Sequence, residues 1–190
     1  MKKIGLLRDS QHSNITVLIP QNIKQFKNNA AFFIETNAGI ASGYSDEEYS
    51  REGATIIQSK SELIAKVDLI ISYSAVVDDE EELNSNKTFV GAYDVLSDYS
   101  TIIPFQRKGI DLYSLNLLPR TTISQSMDIL SSIASILGYK AVLIASTISP
   151  ITIPMISGAG GTLPPAKVLV LGAGVAGLQA IATAKRLGAV

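Results

Sequence analysis

Three glycines close to the carboxyl end carry the clearest chemistry in this chain. They stand in Gly172-Ala-Gly174-Val-Ala-Gly177, after the β-branched apolar run Val168-Leu-Val-Leu171 and before an alanine-rich helical pattern. A strand, a tight turn and a helix in that order open a dinucleotide-binding βαβ unit. The first glycine permits the turn, the second lets a pyrophosphate approach the backbone, and the third lets helix and strand pack closely. Unpaired amides at the helix N-terminus, with Val175 among them, then face the anion. A glycine-rich βα turn in another α/β fold uses the same residues, so the pattern alone leaves that alternative open. The acidic residue that grips the adenosine ribose belongs about 20 residues past such glycines, beyond Val190. The expectation is therefore the beginning of a cofactor domain: a natural truncation, one piece of a split gene, or a shortened chain.

A second group of polar residues surrounds the start of a long helical pattern, read as residues 124–146. Arg120 follows Pro119, and Gln125, Asp128 and Ser131/Ser132 recur at i, i+3 and i+6/7, which places them on one helix face. Met127, Leu130, Ala134 and Leu137 form an apolar stripe at the same period. A guanidinium, an amide, a carboxylate and hydroxyls at one helix end can orient a polar ligand. By spacing alone, a solvated face with a capping arginine is the simpler reading.

The elements that must position these groups alternate along the chain. Strand patterns fall at residues 3–7, 16–19, 31–35, 54–57, 68–72, 88–90 and 110–115. Helical patterns fall between several of them. Ser45-Asp-Glu-Glu48 is a capping box that opens a short helix ending near Gly53. Residues 59–67 form a second helix, and the acidic run Asp78-Asp-Glu-Glu-Glu82 opens a third with its carboxylates at the positive end of the helix dipole. Alternating strands and helices predict βαβ units and a parallel sheet. The fold class expected is thus α/β: a flavodoxin- or Rossmann-like domain over residues 1–146, a connector over 147–165 containing Gly158-Ala-Gly-Gly161 and Pro164-Pro165, and the first β-α unit of a second, incomplete Rossmann domain over 166–190.

Composition removes several classes of function. The 190 residues are 46% hydrophobic with a net charge of −1, and mean hydropathy is +0.26. That supports a buried core and gives no electrostatic footprint for nucleic acid. There is no cysteine, which excludes disulfides, thiolate metal sites and a cysteine nucleophile. The single histidine, His12, lies in a polar stretch and reads as a solvated loop residue, so no metal site is expected. No charge occurs between Lys140 and Lys167, but Pro150, Pro154 and several hydroxyl residues interrupt that run. It reads as a buried helix and connector rather than a membrane span.

Three stretches together resemble a known family. They are Leu118-Pro-Arg-Thr-Thr-Ile-Ser-Gln-Ser-Met-Asp-Ile-Leu-Ser-Ser132, Gly138-Tyr-Lys-Ala-Val142 and the run from Gly161 to Ala189. This combination is similar to the soluble NAD(H)-binding domain of proton-translocating NAD(P) transhydrogenase alpha subunits, in the alanine dehydrogenase/transhydrogenase superfamily. Gly39-Ile-Ala-Ser-Gly-Tyr-Ser-Asp-Glu-Glu-Tyr49 and Gly53-Ala-Thr-Ile-Ile57 follow the superfamily pattern more loosely. The resemblance implies two Rossmann-like subdomains with NAD(H) in the cleft between them. It implies that Arg120, Gln125, Asp128 and Ser131, with Thr121, Thr122, Ile123, Ser126 and Met127 in the same loop, hold the nicotinamide and its ribose. Gln125 and Asp128 would lie nearest the reacting ring. Gly172, Gly174, Val175 and Gly177 would take the pyrophosphate and adenosine side.

Hydride transfer between two nicotinamides needs positioning and a dry cleft rather than an acid or base. The implied activity is transfer from NADH to NADP coupled to proton translocation. The implied partners are a beta subunit and membrane domain, with NADP(H) on a partner domain or subunit, and a second copy of the chain in a homodimer. The implied location is cytoplasmic, peripheral on the inner membrane through partner subunits, or on the matrix side in an organelle. Two positions depart from the family: Ile123 where a second arginine is usual, and Ile15-Thr-Val17 where Arg-Val-Ala is usual. An alanine dehydrogenase is the second reading. That sister family uses the N-terminal arginine and a histidine, whereas here Ile15 replaces the arginine and no histidine lies beyond His12. A non-catalytic truncated remnant is the third, and the isolated chain is expected to be inactive and to bind NAD(H) weakly.

Overall fold

The computed structural model describes residues 1–9, 14–74, 83, 86–119 and 121–190, apart from the side chain of Thr101. His12, Arg120 and the acidic run at 78–82 lie outside the described residues. The chain divides into two compact units, Met1–Met127 and Asp128–Val190.

The first unit is built on six strands: β1 (Lys2–Leu6), β2 (Ala30–Glu35), β3 (Thr55–Ile57), β4 (Leu69–Ile71), β5 (Thr88–Gly91) and β6 (Asp111–Ser114). They form one sheet in the order β3-β2-β1-β4-β5-β6, and every pair is parallel. Register is set at the centre, where Ile4 lies opposite Phe32 on one side and Leu69 on the other. Reversal of direction beside β1 is the doubly wound topology, in which the crevice at the carboxyl ends of the strands receives ligands. The parallel sheet expected from the alternating pattern is therefore present.

Both faces of the sheet are covered, which is why its strands are nearly continuous hydrophobic runs. On one face Leu6, Phe32 and Ile34 pack with Ile23 of α1 (Pro20–Phe26) and Tyr49 of α2 (Asp46–Arg51). On the other, Leu7, Ile57, Ile70 and Phe89 pack with Leu63 and Ile64 of α3 (Lys60–Lys66) and Phe105 of α4 (Ile103–Arg107). Neighbouring residues such as Leu6 and Leu7 serve opposite clusters because successive side chains alternate across a strand. Phe105 meets Phe89 edge-on at 4.9 Å and Tyr93 at 5.8 Å.

The local signals explain most element ends. Ser45 accepts from the Glu48 amide while Glu48 accepts from the Ser45 amide, which is the expected capping box. Ser59 caps α3 through the Glu62 amide. The strand expected at 16–19 does not form. Leu18 gives its carbonyl to the hydroxyls of Tyr49 and Thr16, and Pro20 takes the first position of α1 instead. Side-chain donors have taken the acceptor a ladder would need, and proline has no amide to offer.

The second unit contains α5 (Ile129–Ile148), a hairpin of β7 (Ile156–Gly158) and β8 (Gly161–Leu163), and α6 (Val175–Arg186). The long helix begins later than the sequence pattern suggested. Residues Ile123–Met127 form a 3-10 turn, and Asp128, with non-helical φ −78° and ψ 87°, is the N-cap of α5. The connector at 147–165 is more ordered than expected, since its glycines close the β7–β8 hairpin with Ser157 opposite Thr162. The run 168–171 is extended but makes only the start of a ladder. The Val168 amide donates to the Val190 carbonyl at 3.0 Å and the Val190 amide to the Ala166 carbonyl at 2.9 Å. That slanted pair is the beginning of a parallel pairing across a βαβ crossover.

Candidate functional site

The glycine turn has the geometry its residue types predict. Gly172 sits at φ +102°, a backbone region that costs an L side chain strain and glycine little. A Cβ on Gly177 would stand 2.0 Å from the Gly172 carbonyl oxygen, so only glycine lets the helix close onto its own turn. A Cβ on Gly174 would meet nothing within 4 Å. The backbone there is bare and open, and Gly174 caps α6 without any side chain occupying its first amides. Val175, 45% exposed, heads the helix. An open, uncapped helix N-terminus over a glycine turn fits a pyrophosphate, because the first-turn amides keep their donors and the helix dipole favours negative charge.

The other end of the second unit's candidate site is the start of α5. Asp128 accepts from the Ser131 amide at 2.9 Å and from the Ser131 hydroxyl at 2.6 Å. Ser132 donates from its hydroxyl to the Asp128 carbonyl at 3.1 Å. Asp128 is therefore a helix cap, a role its spacing did not announce. The expected helix face shared by Gln125 and Asp128 is not formed, because Gln125 lies in the 3-10 turn before the cap and Asp128 outside helical dihedrals. Asp128 had to leave the helix to satisfy one of its unpaired amides.

In the first unit the candidate loop is exposed and locally ordered. Thr121 and Ser124 share a hydroxyl–hydroxyl bond of 3.0 Å, and the Ser124 amide donates to the Thr121 carbonyl at 3.1 Å. Ser126 donates to the Ile123 carbonyl. Thr122, Gln125 and Ser126 are exposed, as are Ile123 at 84% and Met127 at 47%. A polar loop carrying a bare isoleucine and methionine is suited to a ligand with both polar and apolar faces.

The sequence reading missed a buried polar group near the carboxyl edge of the same sheet. Asp9, 4% exposed, accepts from the Ser74 amide at 2.7 Å and its hydroxyl at 3.0 Å. Ser72 and the Tyr93 hydroxyl are 3.3 Å apart. Burial pushes the Tyr93 phenol up to about 12, against a partial offset from Ser72. No sequence signal joined these residues, because they meet only when β1, β4 and β5 align. In the second unit an apolar hollow of ≈ 450 Å³ lies between the extended run and α6, lined by Val168, Val170, Ile181, Ala184, Lys185, Ala189 and Val190. It contains none of the glycine-turn residues and is a packing face rather than a phosphate pocket. Among the described residues no group of three or more acidic or histidine side chains could hold a metal ion.

A doubly wound parallel sheet and a glycine turn on a bare helix N-terminus define a Rossmann-like α/β protein. The alanine dehydrogenase/PNT N-terminal domain model matches residues 10–137 and the corresponding C-terminal domain model matches residues 141–190. The chain belongs to the alanine dehydrogenase/PNT family. It is similar to the first of the parts that make up NAD(P) transhydrogenase subunit alpha in Rickettsia prowazekii, at 36% identity over 100% of this chain and 51% of that protein. It is also similar to the protein of that name from Rhodospirillum rubrum, at 36% identity over 83% of this chain and 42% of that one. Among solved structures, transhydrogenase from Sinorhizobium meliloti superposes with a TM-score of 0.91 at 32% identity, over 100% of this chain and 57% of that one. An L-alanine dehydrogenase superposes with a TM-score of 0.80 at 21% identity, over 98% of this chain and 53% of that one, a likeness of fold. The chain spans about half the length of the curated relatives it matches.

Proposed function

We propose that this chain is an NAD(H)-binding portion of a proton-translocating NAD(P) transhydrogenase alpha subunit. The observation that carries the proposal is the open glycine turn at the head of α6, in a chain whose relatives with 36% identity bear that name. Bound there, NAD(H) would supply the hydride. The chain's own work is to bind and orient. Amides of Val175, Ala176 and Gly177 would face the pyrophosphate, with Gly172 and Gly174 clearing its approach. Asp128, Ser131 and the loop from Arg120 to Met127 would hold the nicotinamide end, Gln125 and Asp128 nearest the ring. Neither residue needs to move a proton, since hydride passes between carbon atoms and positioning supplies the rate.

The rest of the assembly belongs to the same proposal. NADP(H) would sit on a partner domain or subunit, with a beta subunit and membrane domain carrying the protons, and two copies of this chain would pair. The complex would hold it on the cytoplasmic face of the inner membrane, or the matrix side in an organelle. Residues 1–146 would be one domain, 147–165 the connector and 166–190 the opening of the NAD(H) domain. The alanine dehydrogenase reading loses support at Ile15 and from the lack of any histidine beyond His12. Calorimetric titration with NADH, beside an assay for alanine-dependent NAD+ reduction, tests the choice. NADH binding without alanine oxidation is expected. Alanine oxidation, or no NADH binding at millimolar ligand, would overturn the proposal.

A further inference from the structure

We infer that Gly138, in the middle of α5, is a positioning residue that fixes the distance between the two ends of the dinucleotide site. The inference rests on the function proposed above. Gly138 is buried in the interior of a 20-residue helix, where glycine costs about 0.5–1 kcal/mol relative to alanine. A Cβ there would stand 2.1 Å from the carbonyl oxygen of Ala176 and 2.9 Å from its carbonyl carbon. Ala176 is the second residue of α6, inside the turn whose amides face the phosphates. The backbone of α5 therefore touches the backbone of the anion-binding turn itself. Gly177 makes the second such contact, against Gly172, from within the turn. Two missing side chains hold the first turn of α6 between two backbones.

One turn before Gly138, Ser135 donates to Gln179 at 3.5 Å, and Gln179 donates in turn to Thr183 at 3.4 Å. This polar ladder in an otherwise apolar contact sets the register of the two helices. Asp128 caps the same α5 about ten residues before Gly138, roughly 15 Å along a rigid helix. The Asp128–Ser131 end and the phosphate-facing amides are thus parts of one rigid frame joined at Gly138. A ligand that must reach both ends at once is sensitive to an error in that frame of about 1 Å. A ligand that touches only the turn is not.

The test compares NADH with ADP on the 190-residue chain and its Gly138→Ala variant, with melting curves alongside. NADH affinity is expected to fall about tenfold or more, while ADP affinity is unchanged because the turn's internal Gly177–Gly172 contact survives. A folded variant that binds NADH as the wild type does would overturn the inference, as would one that loses NADH and ADP equally. If Gly138→Ala does not fold, the absence of cysteine gives a second route. Ser135→Cys with Gln179→Cys, bridged by a short bis-alkylating reagent, locks the observed register. The bridged chain should keep its NADH affinity, and a loss of about tenfold on bridging would overturn the inference. A wild-type chain that binds neither ligand sinks the proposed function itself, whereas the other outcomes bear on Gly138 alone.

Discussion

Replacing Asp128 separates its two roles, because alanine and asparagine remove different things. In the structure the carboxylate caps α5 with two hydrogen bonds from Ser131. Asparagine caps helices as well as aspartate, so its oxygen can keep the amide bond and the Ser131 hydroxyl can turn to accept from its nitrogen. What Asp128→Asn loses is the charge at the helix N-terminus, about 0.3–1 kcal/mol. Asp128→Ala loses the cap entirely, about 1 kcal/mol within a range of 0.5–2. For a chain of this length, 1 kcal/mol moves the melting point by about 2–4 °C. Hydrogen exchange at the Ser131 amide should open further in the alanine variant than in the asparagine one. If the carboxylate also orients the nicotinamide end, both variants lose hydride transfer in the assembled enzyme by about 1–3 kcal/mol. The assay is stopped-flow transfer from NADH beside circular dichroism melting. An asparagine variant that melts like the alanine variant yet transfers hydride at the wild-type rate would refute the reasoning and leave Asp128 as a cap only.

Gly177→Ala forces the turn away from the Gly172 carbonyl, and NADH binding should fall at least about tenfold with a stability loss of about 1–3 kcal/mol, read by titration and melting. Phe89, fully buried against Phe105, should cost about 3–5 kcal/mol on truncation to alanine, measured by urea denaturation, with the loss confined to the first unit. The Tyr93 phenol is raised in the folded state to about 12 from an unfolded value near 10, so the fold keeps its proton where the unfolded chain has released it. Its contribution is complete below pH 10 and is lost as pH rises to 12, by at most about 2.7 kcal/mol. Tyr93→Phe should flatten that alkaline limb of the stability curve, and an unchanged limb would contradict the assignment.

How much was legible in the sequence depended on the range of the interactions. Six of seven strand patterns, the Ser45–Glu48 box, the Ser59 cap and the Gly172–Gly177 turn were readable because each is decided within a few residues, by alternation, by a cap's own reach or by glycine's freedom. The strand expected at 16–19 failed because Tyr49, some thirty residues away, takes the Leu18 carbonyl. Asp128 as a cap was hidden because its spacing also fits a helical face, and only the backbone break after Met127 chose between them. Gly138 looked like an ordinary weak point in a helix until α6 was seen against it. The pairing of Asp9 with Ser74 and of Ser72 with Tyr93 was invisible because no local rule joins residues brought together by sheet order. Short-range chemistry is written in neighbouring residues; close approach of two backbones and the sharing of a carbonyl between distant groups exist only once the chain has folded, because packing alone decides which surfaces meet.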